Sequence, residues 1–111
     1  MLRRKNRISK DFFRNTSREV KNLSSFLLTI RAVKNLPQEE ARFAVIVSKK
    51  VARTAVSRNK IRRKVYGAIG PSWPARLKGF LFFIYPKKDI LVSSHSLLED
   101  SLKEAFKEMG F

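Results

Sequence analysis

Apolar positions along the chain change period several times, and each change marks an element. Ile8 and Phe13 flank Ser9 in the pattern of a hydrophobic staple around an N-cap, which predicts a short helix from Lys10 to Thr16. Phe26 to Val33 is apolar with Thr29 and Arg31 interspersed, and reads as a strand. Lys34 to Glu40, with Asn35 and Pro37, reads as a loop. Phe43 to Val47 is a second strand. The period then becomes helical. Ile61, Val65, Ala68 and Ile69 recur at i, i+4, i+7 and i+8, with Thr54 or Ser57 as the cap and Gly70-Pro71 as the stop. Pro71, Trp73 and Pro74 fall in a connecting loop. Phe80 to Tyr85 is apolar on both alternations, which predicts a central strand covered on both faces and ended by Pro86. Ser96-Leu97-Leu98-Glu99 forms a capping box ahead of a last helix, whose core stripe is Leu98, Leu102, Ala105, Phe106 and Met109 and which Gly110 closes.

The predicted order is α-β-β-α-β-α: an α+β sandwich with one central sheet and helices packed on it, a single domain over residues 1–111, with residues 1–7 as a flexible basic arm. The β-α-β unit (43–47, 54–69, 80–85) predicts a parallel strand pair, by default with a right-handed crossover. No internal repeat or low-complexity tract interrupts the chain.

Charge changes this picture from a fold to a function class. The net charge is +16, from 25 Lys and Arg against 9 Asp and Glu. Such a balance calls for nucleic acid or an anionic membrane surface as partner. Its distribution says more than its total. Residues 49–64 carry eight Lys or Arg and no acid, directly after an apolar strand. Residues 96–111, by contrast, carry Lys103 and Lys107 against Glu99, Asp100, Glu104 and Glu108. A basic block hung on a buried strand repels itself until a polyanion neutralises it, and a phosphate backbone is the simplest such partner. On a wheel of about 100° per residue, Ile61, Val65 and Ala68 face inward, Asn59, Arg63 and Tyr66 lie nearly opposite, Lys60 and Arg62 flank them, and Arg58 sits nearer the core edge. Arg grips phosphate or a base edge through two donors, Asn donates and accepts, and Tyr stacks on an unpaired base. Lys49 and Lys50 emerge beside this helix. They read equally as polyanion contacts or as guards against strand addition at a sheet edge. Phe12 and Phe13 read as core residues or as part of a groove where bases stack, as do Phe82 and Tyr85.

Catalysis by the chain itself finds little support. His95 is the single histidine, cysteine is absent, and the four glycines are isolated, which leaves no metal cluster, triad or phosphate loop. The lack of cysteine fits a reducing compartment, and a cytoplasmic location is expected. The basic N-terminus has no apolar stretch after it and so is not a secretory signal. A peripheral membrane role needs a broad apolar face, and the 54–69 stripe is better explained by packing on a sheet.

Val47-Ser48-Lys49-Lys50, then Ala55-Val56, then Arg58-Asn59-Lys60-Ile61-Arg62-Arg63 resemble the signature of the bacterial ribonuclease P protein family, roughly V-S-K-K, a short spacer and A-V-x-R-N-R-x-K-R. Arg4-Lys5-Asn6-Arg7-Ile8 and Asp11-Phe12 agree with it as well. The resemblance implies a basic subunit that assists a catalytic RNA in cleaving the 5′ leader from precursor tRNA, with Mg²⁺ held by that RNA and no cofactor bound by the chain alone. It implies RNA contacts by Lys49, Lys50, Arg58, Asn59, Lys60, Arg62, Arg63 and Tyr66. It also implies a leader cleft between the first helix and the sheet, with Phe12, Phe13 and Lys50 in it. The implied crossover is of the rare left-handed type, as in a sandwich domain known from ribosomal proteins, and replaces the default. The implied partners are ribonuclease P RNA and precursor tRNA, without membrane or obligate protein partner. Lys60 stands where the family pattern has Arg, Tyr66 where it is basic, and Thr16 and Thr29 where cleft aromatics are expected. The rivals are a ribosomal or general RNA-binding protein and a stand-alone nuclease that uses His95 or Asp11.

Overall fold

A computed structural model describes residues 19–34, 40–77 and 79–111. The predicted first helix, the arm, and most of the 34–40 loop lie outside the described residues. Four strands form one mixed sheet: β1 (Glu19–Ser24), β2 (Leu28–Lys34), β3 (Arg42–Val45) and β4 (Phe80–Pro86). Between β3 and β4 the chain forms α1 (Ala55–Ala68) and the short α2 (Trp73–Arg76). A 3₁₀ turn (Lys88–Leu91) and α3 (His95–Glu108) follow β4. The sheet order is β1-β2-β4-β3. β1–β2 and β2–β4 are antiparallel, and β3–β4 is the expected parallel pair.

Strand alternation sorts side chains onto two faces. On one face Leu28, Ile30, Ala32, Phe43, Val45, Phe82 and Ile84 join Ile61, Val65 and Ala68 of α1 and Leu98, Leu102, Ala105 and Phe106 of α3 in one core. Phe43 stacks on Phe82 at 5.2 Å, and Phe106 stands edge-on to Phe82 at 5.0 Å. Offset and edge-on contacts of this kind are favoured by the ring quadrupoles, and burial of each ring contributes roughly 1.5–3 kcal/mol. On the other face Val33, Ala44, Leu81 and Phe83 are buried, with Ile46 and Tyr85 half-buried beside them. β4 therefore has a strand on each side and apolar side chains on both faces, as its unbroken apolar run predicts.

Four local expectations are corrected. β2 begins at Leu28 rather than Phe26. A turn closed by Ser25 N–H donating to Leu28 O at 2.8 Å leaves Phe26 75% exposed. β3 ends at Val45 rather than Val47, although Ile46 N–H still donates to Ile84 O. Trp73 is not in a loop. It opens α2 with Pro74 just inside, and its ring packs edge-on to Phe106 at 5.2 Å. Gly70 makes room for that ring, since a Cβ there would lie 2.6 Å from Trp73 Nε1. The cap of α3 is Ser94, not Ser96: the Ser94 hydroxyl accepts from Leu97 N–H at 3.1 Å. The far end of α3 closes as a Schellman motif, Phe111 N–H donating to Phe106 O and Gly110 N–H to Lys107 O, with Gly110 at φ +92°.

Candidate nucleic-acid interface

The cationic segment divides into a turn and a helix. Val51 and Ala52 N–H both donate to Ser48 O, which closes a turn and leaves Lys49 and Lys50 exposed at its apex. Thr54 then caps α1, its hydroxyl accepting from Ser57 N–H at 3.1 Å. Of the two predicted caps, the structure uses Thr54. The first turn of α1 contains no acid. Its exposed N–H groups and axial dipole are therefore left positive next to Lys49, Lys50, Arg53 and Arg58, an end that favours anions.

Along α1, Ile61 and Val65 are fully buried, as the wheel predicts. Opposite them Asn59, Lys60 and Arg63 are exposed and Arg62 is half-buried. Asn59, Arg62, Arg63 and Tyr66 line one groove. Within it Arg62 Nη1 donates to Asn59 Oδ1 at 2.5 Å, a bond one helical turn long that holds both side chains in register. Tyr66 is not simply an outward ring. It is half-buried against the core, and its hydroxyl accepts from Val45 N–H at 3.2 Å. Val45 lies on the edge strand, and Tyr66 fastens α1 to that edge while one side of the residue borders the groove.

Two cations of the segment turn inward. Arg58 is half-buried, and its Nη1 donates to Ala52 O at 3.1 Å and Arg53 O at 2.9 Å. Lys64 Nζ donates to Ile90 O at 2.9 Å and also to Ser93 O, and so ties α1 to the segment before α3. The structure thus gathers Asn59, Lys60, Arg62, Arg63 and Tyr66 on one face of α1, sets Lys49 and Lys50 on the turn before it, and turns Arg58 towards that turn. Phe12 and Phe13 lie outside the described residues. Phe82 and Tyr85, alike by pattern, separate: Phe82 is in the core, whereas Tyr85 lies on the other face of the sheet, across from Thr29 in register. Alternation places Arg31, Arg42 and Phe83 on that same face, Arg31 opposite Phe83. Sequence reasoning passed over these arginines because the face on which a strand residue falls is fixed only by register.

Among the described residues no three His, Cys, Asp or Glu stand close enough to hold a metal ion. His95 pairs with Glu99 at 3.0 Å at the exposed start of α3. No helix among the described residues is long and apolar enough to cross a membrane.

Fold and site together define a small α+β sandwich that carries a cationic helix and turn at the β3 edge of its sheet. The family model for ribonuclease P matches residues 2–110, and the chain belongs to that protein family. Among solved structures, the RNase P protein of Staphylococcus aureus shares 19% identity over 94% of each chain with a TM-score of 0.68. The RNase P protein of Thermotoga maritima shares 22% identity, covering 88% of this chain and 92% of its own, with a TM-score of 0.61. At these identities the structural likeness speaks for the fold. No curated protein matches the chain. Family membership makes this the protein subunit of ribonuclease P and connects it with tRNA processing.

Proposed function

We propose that this chain holds ribonuclease P RNA and the 5′ leader of precursor tRNA, and that the RNA carries out the cleavage. The observation that carries this reading is the groove face of α1. Asn59, Arg62, Arg63 and Tyr66 are brought together on a rigid helix, with no acid in the sequence between Glu40 and Asp89 to neutralise them. The groups suit phosphate and base contacts, and none suits proton transfer or nucleophilic attack. The protein supplies affinity and position. Mg²⁺ belongs to the RNA partner in this reading. The leader lies against the second face of the sheet, where the half-buried Tyr85 and Arg31 add to the contribution expected of Phe12, Phe13 and Lys50.

The test mixes the purified chain with ribonuclease P RNA and follows cleavage of a precursor tRNA at limiting Mg²⁺. The expected result is restored cleavage with both components and none with protein alone. Trimming by nucleic-acid-free protein would refute the division of labour. RNA binding without any rescue would favour a general RNA-binding protein instead.

A further inference from the structure

The geometry points to Arg58 as a positioning residue: its guanidinium pins the turn that bears Lys49, Lys50 and Arg53 to the start of α1, so that these three cations meet RNA as a fixed set. The inference rests on the RNA-binding reading for its consequence, but not for the pin itself.

Arg58 Nη1 donates to the carbonyls of Ala52 and Arg53, the two residues immediately before the Thr54 cap. The other end of the same turn is closed on Ser48 O by Val51 and Ala52 N–H. Ala52 is buried, at 6% exposure, so the pinned end is set into the core, while Lys49, Lys50 and Arg53 stand in solvent. Three like charges within five residues repel one another, and the positive end of α1 repels all three. A turn of that kind moves away from the helix unless something holds it. Arg58 supplies the hold with a cation, which is unfavourable at a helix N-terminus. The two charge-assisted bonds to carbonyl oxygen offset that repulsion. Lys is a weaker replacement: an ammonium can donate to two carbonyls, as Lys64 does, but it sits one bond short of the Arg58 Nη1 position on a stem without the planar group that fixes direction. Arg63, five residues further on, is exposed in the groove and is a direct contact in the same reading.

The experiment has two arms. In the first, the RNA-free protein is digested briefly with trypsin, and cleavage after Lys49, Lys50 and Arg53 is compared with cleavage after Lys103 and Lys107 of α3. Arg58→Ala is expected to accelerate the turn cleavages about tenfold with the α3 sites unchanged, as for a local opening; Arg58→Lys falls between. A turn that is cut at the original rate in both variants overturns the pin. Should Arg58→Ala accelerate every site together through general unfolding, Arg58→Lys decides, by whether the turn alone responds. In the second arm, Arg58→Ala is combined with Lys49→Ala/Lys50→Ala and binding to ribonuclease P RNA is measured across salt concentrations. A positioning role gives strong coupling: Arg58→Ala weakens binding about tenfold in the original background and much less once the lysines are gone. Its loss also lowers the salt slope by more than the single contact, about 0.7–0.9, that one cation supplies. Additive losses would make Arg58 an independent RNA ligand and overturn the proposal. Failure of the original protein to bind RNA would instead refute the functional reading, with the trypsin arm still deciding the pin.

Discussion

α1 and α3 are helices of equal length on the same face of the same sheet, and they differ in everything they show to solvent. Each is 14 residues long and is capped by a hydroxyl that accepts a backbone N–H three residues on: Thr54 from Ser57, Ser94 from Leu97. Each buries one stripe, Ile61, Val65 and Ala68 in α1 and Leu98, Leu102, Ala105 and Phe106 in α3. Outside the stripe α3 mixes signs, with Glu99, Asp100, Glu104 and Glu108 against Lys103 and Lys107. α1 carries Arg58, Lys60, Arg62, Arg63 and Lys64 with no acid at all. The same packing rule thus builds both helices, and the uncompensated charge of α1 is what needs another explanation. Under the proposed function, the difference separates a helix that only supports the fold from one that also meets the RNA.

The largest expected effect breaks α3 from inside. Phe106 touches Phe43, Phe82, Trp73 and Phe111 through ring contacts, at 1% exposure. Phe106→Ala leaves a cavity at the meeting point of α3, α2 and the sheet, and is expected to cost about 3–5 kcal/mol, read by chemical denaturation. RNA affinity per folded molecule is expected to stay within twofold. A cost below about 1 kcal/mol would mean that the site collapses around the gap and that α3 is not the main support.

The converse change leaves the fold and removes the contact. Arg63→Ala touches an exposed groove residue, so the denaturation midpoint stays within the usual range for surface substitutions, about 0.5 kcal/mol. Binding to ribonuclease P RNA is expected to weaken about tenfold, with the salt slope reduced by about one phosphate contact. Glu104→Ala on α3 serves as the matched control, expected to change neither quantity measurably. An Arg63→Ala variant that binds and supports precursor cleavage unchanged would remove the groove from the interface.

Much of this contrast is legible in the sequence, because periodicity and charge are both local. The α1 stripe, the acid-free block and the doubly covered β4 can each be read within 16 residues or fewer. What is illegible depends on distant backbone. Lys64 counts as one more cation in the block, yet its partners are carbonyls 26 and 29 residues away. Arg58 counts the same way, and only its bonds to Ala52 and Arg53 show that it faces the turn. β1 is missed because Glu-Val-Lys-Asn-Leu-Ser has little apolar alternation. As an edge strand with an irregular register between Glu19 and Lys21, it takes its order from β2 more than from its own composition. The cap of α3 is misplaced by two residues because Ser96 has Glu99 three residues on, as a capping box requires, whereas Ser94 has Leu97 there and caps without a box. The 3₁₀ turn, which ends with Ser93 hydroxyl donating to Ile90 O, settles the choice in favour of Ser94.

The smallest predicted effect makes the sharpest comparison, because it applies one chemical change to both helices. Thr54→Ala and Ser94→Ala each remove a capping hydroxyl from an exposed helix start. Each is expected to cost about 1 kcal/mol, a fall in melting temperature of about 4 °C for a domain of this size. Their consequences for RNA then diverge. Ser94 precedes a helix whose outer face mixes signs and is no part of the proposed interface, so Ser94→Ala is expected to leave affinity unchanged once the folded fraction is taken into account. Thr54 joins the lysine-bearing turn to the groove-bearing helix, and fraying there loosens the angle between Lys49, Lys50 and Arg63, so a three- to fivefold loss of affinity accompanies the same stability change. Matched melting temperatures with matched affinities would show that order at the α1 start does not matter to RNA, and that the basic residues act as unstructured charge rather than as a shaped surface.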